Sequence, residues 1–166
     1  YGLNVFNSRS LAYLKDKELE SACVSFELRF AQIRDLKKVL RAEAIVYGRL
    51  PLMITENCLV QNETGCRLDR QGPCVPCRCG QPNVLVDRTG AAFPLLPAYG
   101  HRTEIQNSKP LYLADRPEHR RLGLAYARLR FTTETAEECV SVVQNYLDAA
   151  PAAGDFTRGL YERGVE

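Results

Sequence analysis

Apolar and polar positions follow two different periods along the opening part of the chain. In GLNVFNS (2–8) the apolar residues Leu3, Val5 and Phe6 precede the turn formers Asn7 and Ser8, which predicts a short strand. A short helix is expected at about 9–19, capped by Ser8 or Ser10. A second strand is expected over CVSFELR (23–29), which is rich in β-branched and aromatic residues. In FAQIRDLKKVLR (30–41), Phe30, Ile33, Leu36, Lys37 and Leu40 recur at three- and four-residue intervals with polar residues between, the pattern of an amphipathic helix. EAIVYGRLPLMIT (43–55) reads as a third strand, broken at Gly48 and Pro51, that delivers Glu56 and Cys58 to its C-terminal end. The order β-α-β-α-β with short connections predicts an α/β protein with parallel strands and crossover helices. Chemistry in such sheets gathers at the C-terminal ends of the strands.

The helix expected next is missing. Residues 56–79 (ENCLVQNETGCRLDRQGPCVPCRC) have almost no apolar periodicity and cannot bury a core of their own. Beyond them, NVLVDRTGAAFPLL (83–96) predicts a β-hairpin turning on Arg88-Thr89-Gly90. HRTEIQNSKPLYL (101–113) is of mixed polarity and ends in a strand-like LYL, and Pro117 suits the first turn of a weak helix over 115–122. GLAYARLRFT (123–132) predicts a strand with Leu124, Tyr126, Arg128 and Arg130 on one face and Ala125, Ala127, Leu129 and Phe131 on the other. Thr133 or Thr135 is expected to cap a last helix, AEECVSVVQNYLDAA (136–150), with Val140, Val143 and Leu147 as its buried stripe. The organisation expected is a partial catalytic domain over 1–150, carrying a cysteine-rich insertion at about 56–82, and a tail over 151–166.

The composition, 45% hydrophobic and 25% charged over 166 residues, suits a single core. A net charge of +2 is too small for nucleic-acid binding by the bulk field of the protein, which leaves only local basic clusters. No apolar run approaches the length of a membrane span, and Tyr1 is not a natural start. The expectation is a soluble, cytoplasmic piece of a longer protein, without membrane contact.

Of the seven cysteines, Cys58, Cys66, Cys74, Cys77 and Cys79 crowd into one stretch with C-x-x-C and C-x-C spacings. Disulfide frameworks spread their cysteines between elements, so this crowding points to a reduced compartment and a metal. Four thiolates at such spacing satisfy either a tetrahedral zinc or an iron–sulfur cluster, and spacing does not tell the two apart. A bound metal would also hold a segment that lacks its own hydrophobic stripe. The alternative is a set of disulfides or free thiols in an exposed loop. Cys23 and Cys139 read as packing thiols.

VYGRLPLMITENC (46–58), DRTGAAFPLL (87–96), HRTEIQNSKPLYLAD (101–115) and FTRGLYERGV (156–165) resemble successive blocks of the collagenase-like peptidase family, peptidase family U-32. The resemblance implies the C-terminal part of a (β/α)-barrel-like catalytic domain, its earlier strands lying upstream, with an inserted cysteine-rich metal loop and a β-hairpin. Family members include peptidases acting on collagen, enzymes that hydroxylate bases of ribosomal or transfer RNA, and proteins of oxygen-independent ubiquinone hydroxylation. The hydroxylating branch carries a four-iron cluster. By position its ligands fall on Cys58, Cys74 and Cys77. His101 stands where the family commonly has the last cysteine, and Cys66 and Cys79 are alternates. The function implied is iron–sulfur-dependent hydroxylation of an RNA base. The alternatives are proteolysis of collagen-like or unfolded protein, and a zinc-stabilised, non-enzymatic RNA-binding module.

Other candidates follow from residue chemistry. Glu56 at a strand end suits an acid or base, or an ion pair with Arg49 or Arg102. Asp87 and Arg88 suit either a catalytic role or simple turn chemistry. Cys58 with His101 would make a thiol–imidazole pair for proteolysis. Arg102, Arg128 and Arg130, with Arg158 and Arg163, would line an anion-binding face for RNA phosphates or a carboxylate donor, unless acids pair with them. Phe156 and Tyr161 offer stacking or cover for a core edge. His119 reads as a solvated surface residue.

Overall fold

Gly48 divides the strand expected over 43–55 into two. Its φ is +114°, a region costly for residues with a side chain. A Cβ there would lie 2.0 Å from the main-chain oxygen of Arg130. In the computed structural model, residues 1–64, 83–99 and 102–163 are described. Their elements are α1 (Ser8–Asp16), β1 (Ser21–Cys23), α2 (Phe30–Asp35), β2 (Arg41–Gly48), β3 (Pro51–Thr55), α3 (Leu59–Thr64), β4 (Val84–Val86), β5 (Ala92–Ala98), β6 (Arg102–Gln106), β7 (Leu111–Tyr112), a 3-10 turn (Pro117–Arg121), β8 (Tyr126–Leu129) and α4 (Ala136–Asp148). Helix and strand are mixed, as an α/β reading requires. The chain forms two units, Tyr1–Gly48 with Pro110–Glu166, and Arg49–Lys109.

In the first unit β2 pairs in parallel with β1 (Cys23 opposite Glu43) and with β8 (Glu43 opposite Tyr126, Ile45 opposite Arg128). Val5 adds a parallel bridge to Val24, so four segments run parallel side by side in the order Val5, β1, β2 and β8, with β3 to β7 intervening in the chain before β8. The short β7 pairs antiparallel with the end of β2. One face of β2 and β8 presents Ala42, Ala44, Tyr47, Ala127 and Leu129, and there Tyr47, Leu129 and Phe131 pack with Val142 and Tyr146 of α4. The opposite face carries Glu43, Ile45, Tyr126 and Arg128.

Two tyrosines complete this sheet. The register shifts at Val46, a bulge that frees its carbonyl from the ladder. The Tyr146 hydroxyl donates to that carbonyl and accepts from the Leu113 N–H at 2.8 Å. Tyr161 is 1% exposed, donates its hydroxyl to the Ile45 carbonyl and stacks on Phe30 with ring centroids 5.3 Å apart. Burial pushes both phenols far above their usual pKa, which keeps them protonated donors. The 151–166 tail is therefore fastened to the core over its described part. Arg158 adds a two-point ion pair to Asp115, at 2.6 and 2.8 Å.

Several expectations are corrected here. The strand over 2–8 reduces to the bridge at Val5, because Asn4 turns the chain at φ +48°. Asn7, rather than Ser8 or Ser10, caps α1 by accepting from the Ser10 N–H, and the Ser8 hydroxyl instead accepts from Lys37. The strand expected over 23–29 ends early, since Ser25 starts a turn closed by Leu28 N–H. Helix α2 stops at Asp35, where Leu36 is extended and the Lys38 ammonium takes the terminal carbonyls of Ile33, Arg34 and Leu36.

The stripe expected on α4 is also the wrong one. Val140, Val143 and Leu147 are 70%, 42% and 70% exposed. The hydroxyl anchor of Tyr146 turns the row of Val142 and Tyr146 to the sheet instead. His119 is buried, not solvated, with Nδ1 against the Arg116 carbonyl and its ring against Tyr146. Desolvation holds its pKa below the ordinary imidazole value.

The second unit is an antiparallel sheet in the order β3-β6-β5-β4. Its hairpin matches the expectation over 83–96, with Val84 opposite Pro94 and Val86 opposite Ala92. Gly90 provides the positive φ of the turn, +85°.

Candidate functional site

The expected site begins where β3 ends. Met53, Ile54 and Thr55 pair with Ile105, Glu104 and Thr103 of β6, which sets the start of β6 beside Glu56, Asn57 and Cys58. Thr103 is 3% exposed. Its hydroxyl donates to the Asn57 carbonyl at 3.3 Å and accepts from the Leu59 N–H at 3.1 Å, bracketing Cys58 on both sides. The Thr55 hydroxyl donates to the same carbonyl at 2.6 Å. A buried hydroxyl satisfied in this way holds the backbone around the thiol, from which α3 departs. Cys58 is a half-buried free thiol.

Glu56 forms an ion pair with Arg102 at 3.0 Å, both side chains well exposed. The Arg102 partner foreseen for Glu56 is thus the one observed. Arg49 turns instead to main-chain carbonyls, donating to Asn107 at 3.0 Å and also to Ser108. His101, next in sequence to Arg102, lies outside the described residues, as do Cys66, Cys74, Cys77 and Cys79. Among the described residues, no three His, Cys, Asp or Glu side chains are grouped as a metal site.

Asp87 organises the hairpin turn. Its carboxylate accepts from the Thr89 N–H and hydroxyl, each at 2.7 Å, and from the Ala91 N–H at 3.0 Å. The Thr89 hydroxyl foremost, then the main-chain donors, hold its pKa below the usual carboxylate value. Arg88 is exposed at the same turn.

The remaining arginines belong to the first unit. Arg128 donates to Glu43 at 2.5 Å, and Arg130 donates to the Tyr1 hydroxyl at 3.2 Å with its guanidinium 5.3 Å from the Tyr1 ring centre. Arg158 is engaged by Asp115, and Phe156 lies under its guanidinium at 4.5 Å. Of the two packing thiols, Cys23 is buried and desolvation raises its pKa, while Cys139 is half-buried on α4. The residue that sequence reasoning passed over is Thr103. Its signal was alternation: it lies two positions before Ile105 on one face of β6, so it had to be buried and bonded.

The sequence model of peptidase family U32 matches residues 2–116, a stretch that runs from the bridge at Val5 through all of the second unit. No curated protein and no solved structure matches. A family match over more than half of the sequence, agreeing with the strand-end, hairpin and β6 blocks just described, makes this chain a member of peptidase family U32.

Proposed function

We propose that the chain is part of an iron–sulfur enzyme that hydroxylates an RNA base. The observation that carries this reading is the placement of Cys58, a free thiol bracketed by Thr103 at a strand end, directly before the cysteine-rich stretch. Thiolates are the donor class that iron–sulfur clusters require, so Cys58 fits in kind. Cys58, Cys74, Cys77 and His101 would hold the cluster, with Cys66 or Cys79 as substitutes. When bound, such a cluster supplies one-electron chemistry whose potential depends on ligand identity and burial. Thr103 fixes the main chain on both sides of the thiol, and the Glu56–Arg102 pair sets opposite charges beside it. The four parallel segments of the first unit are read as part of a (β/α) barrel, completed by strands from an upstream half of the same protein.

The test is anaerobic purification of the full-length protein with iron and acid-labile sulfide analysis. Oxygen-sensitive visible absorbance is expected, together with loss of one hydroxylated nucleotide on gene deletion. An unchanged RNA modification profile in the deletion strain overturns the assignment. Zinc without iron would favour the non-enzymatic RNA-binding scaffold instead.

One observation favours proteolysis as a second reading. On the two outer strands of the second unit, at opposite edges of its sheet, Leu52, Met53 and Ile54 of β3 and Val84, Leu85 and Val86 of β4 are exposed, and either apolar edge suits pairing with an extended polypeptide. Cleavage of denatured collagen that survives Cys58→Ala would exclude that thiol as nucleophile.

A further inference from the structure

Helix α4 is anchored to one side of the strand that precedes it. The Tyr146 hydroxyl ties it to the Val46 carbonyl of β2 and to the Leu113 N–H, so the row of Val142 and Tyr146 packs on the sheet. The neighbouring row of Val143 and Leu147 is left over β8. Beneath it β8 presents Ala125 and Ala127, whose short side chains do not fill the space, and both alanines remain exposed. The result is a groove of about 310 Å³, walled by Leu124, Leu129, Val143 and Leu147. That volume is at the lower end of the range for small-molecule sites.

Most polar side chains on the groove wall are already engaged. The Tyr146 hydroxyl both donates and accepts, the Tyr126 hydroxyl accepts from Arg41 at 3.2 Å, and Nδ1 of His119 lies against the Arg116 carbonyl. Arg120 is the exception. Its Nη2 donates to the Tyr146 carbonyl at 2.8 Å, which holds the guanidinium at the groove, and among the described residues it has no carboxylate partner. Asp148, the acid beside Leu147, accepts instead from the Gln144 amide at 2.9 Å. A guanidinium carries five N–H donors, so one bond to a carbonyl leaves most of the fork for an anion. An apolar trough with one cation on its wall requires a ligand with an apolar body and a single acidic end. We infer that this groove is a binding site for a fatty acid, its acyl chain lying over Ala127 between Leu129 and Val143 and its carboxylate taken by Arg120. The site is independent of the iron–sulfur reading above.

The experiment is isothermal titration calorimetry of the full chain with decanoate at neutral pH, below the concentration at which it forms micelles. One molecule should bind per chain, and from hexanoate through octanoate to decanoate each added methylene should tighten binding by up to about fourfold. Decanol, which lacks the charge, should bind about tenfold more weakly. Arg120→Gln should weaken decanoate binding about tenfold and leave decanol binding unchanged. Arg121→Gln, next in sequence but off the groove wall, should change decanoate affinity by less than about twofold. Ala127→Leu fills the floor and should abolish binding. Thermal melts identify any variant that fails to fold, and the comparison of decanoate with decanol on the unaltered chain then decides. Equal binding of acid and alcohol overturns the site, as does undiminished binding in Ala127→Leu or a loss in Arg121→Gln equal to that in Arg120→Gln. Capture of the chain by phosphatidylcholine vesicles containing oleate, without binding of free decanoate, overturns it in favour of a membrane surface. A chain that binds no decanoate overturns it outright and leaves the iron–sulfur reading untouched.

Discussion

The two units stabilise their sheets by different means. In Tyr1–Gly48 with Pro110–Glu166, the central strand β2 is almost wholly buried, and phenolic hydroxyls satisfy the carbonyls that the irregular ladder leaves open. In Arg49–Lys109, the outer strands β3 and β4 are largely exposed, and a threonine hydroxyl and a carboxylate-built turn set the geometry. Buried aromatic anchors make a frame intolerant of change. Local hydrogen bonds at a strand end and a turn position side chains at smaller individual cost.

That contrast can be broken, and the largest expected effect is at Gly48. Gly48→Ala forces a Cβ against the Arg130 carbonyl at positive φ and should cost about 4 kcal/mol or more, read by urea denaturation. Tyr161→Ala should cost about 4 kcal/mol, because it empties a fully buried site and orphans the Ile45 carbonyl. If it unfolds no more readily than the wild type, the tail is not fastened as described.

Next comes Arg158. Its hydrogen bonds, first among the causes, depress the pKa of Asp115. A carboxyl whose folded pKa is lowered contributes stability above its unfolded value, about 3.9, and loses it as pH falls from there through the depressed value. Arg158→Gln should therefore destabilise near neutral pH and flatten the acid limb of the stability curve. An unchanged acid limb would sink this account of the pair.

The second unit should respond more weakly. Thr103→Val removes one accepted and one donated bond and should cost about 1 kcal/mol. Reduced iron or zinc content in that variant would sharpen the positioning role assigned to Thr103. The smallest effect is expected from exposed apolar positions. Val143→Ser on α4 should fall within about 0.5 kcal/mol, whereas Val142→Ala should cost about 1 kcal/mol; the reverse order would restore the stripe expected from sequence.

Much of the second unit was legible in the sequence because its determinants are local. Asp87-Arg88-Thr89-Gly90 contains its own turn chemistry, whereas RTEIQ, which read only as mixed polarity, proved to be strand β6. The Glu56–Arg102 pair was one of two stated options, and register chose between them. The errors fell where a distant group competes for a local one. Helix α2 looked longer because its apolar period continues past Asp35, yet Ser8 and Lys38 take the main-chain groups that would extend it. On α4 two apolar rows, 140/143/147 and 142/146, were equally plausible by period, and only the hydroxyl of Tyr146 decided between them.

By itself the sequence determined the first two helices, a cap for the last helix at Thr133 or Thr135, the hairpin and the crowding of thiols along the chain, since propensity, turn chemistry and covalent spacing act over a few residues; the short helix α3, where none was expected, came only with the structure. The structure alone decided that residues 43–55 serve two sheets, that His119 is buried, and that Tyr146 and Tyr161 plug carbonyls a hundred or more positions away. A buried carbonyl accepts whichever donor the fold brings to it, and chain order carries no record of that distance.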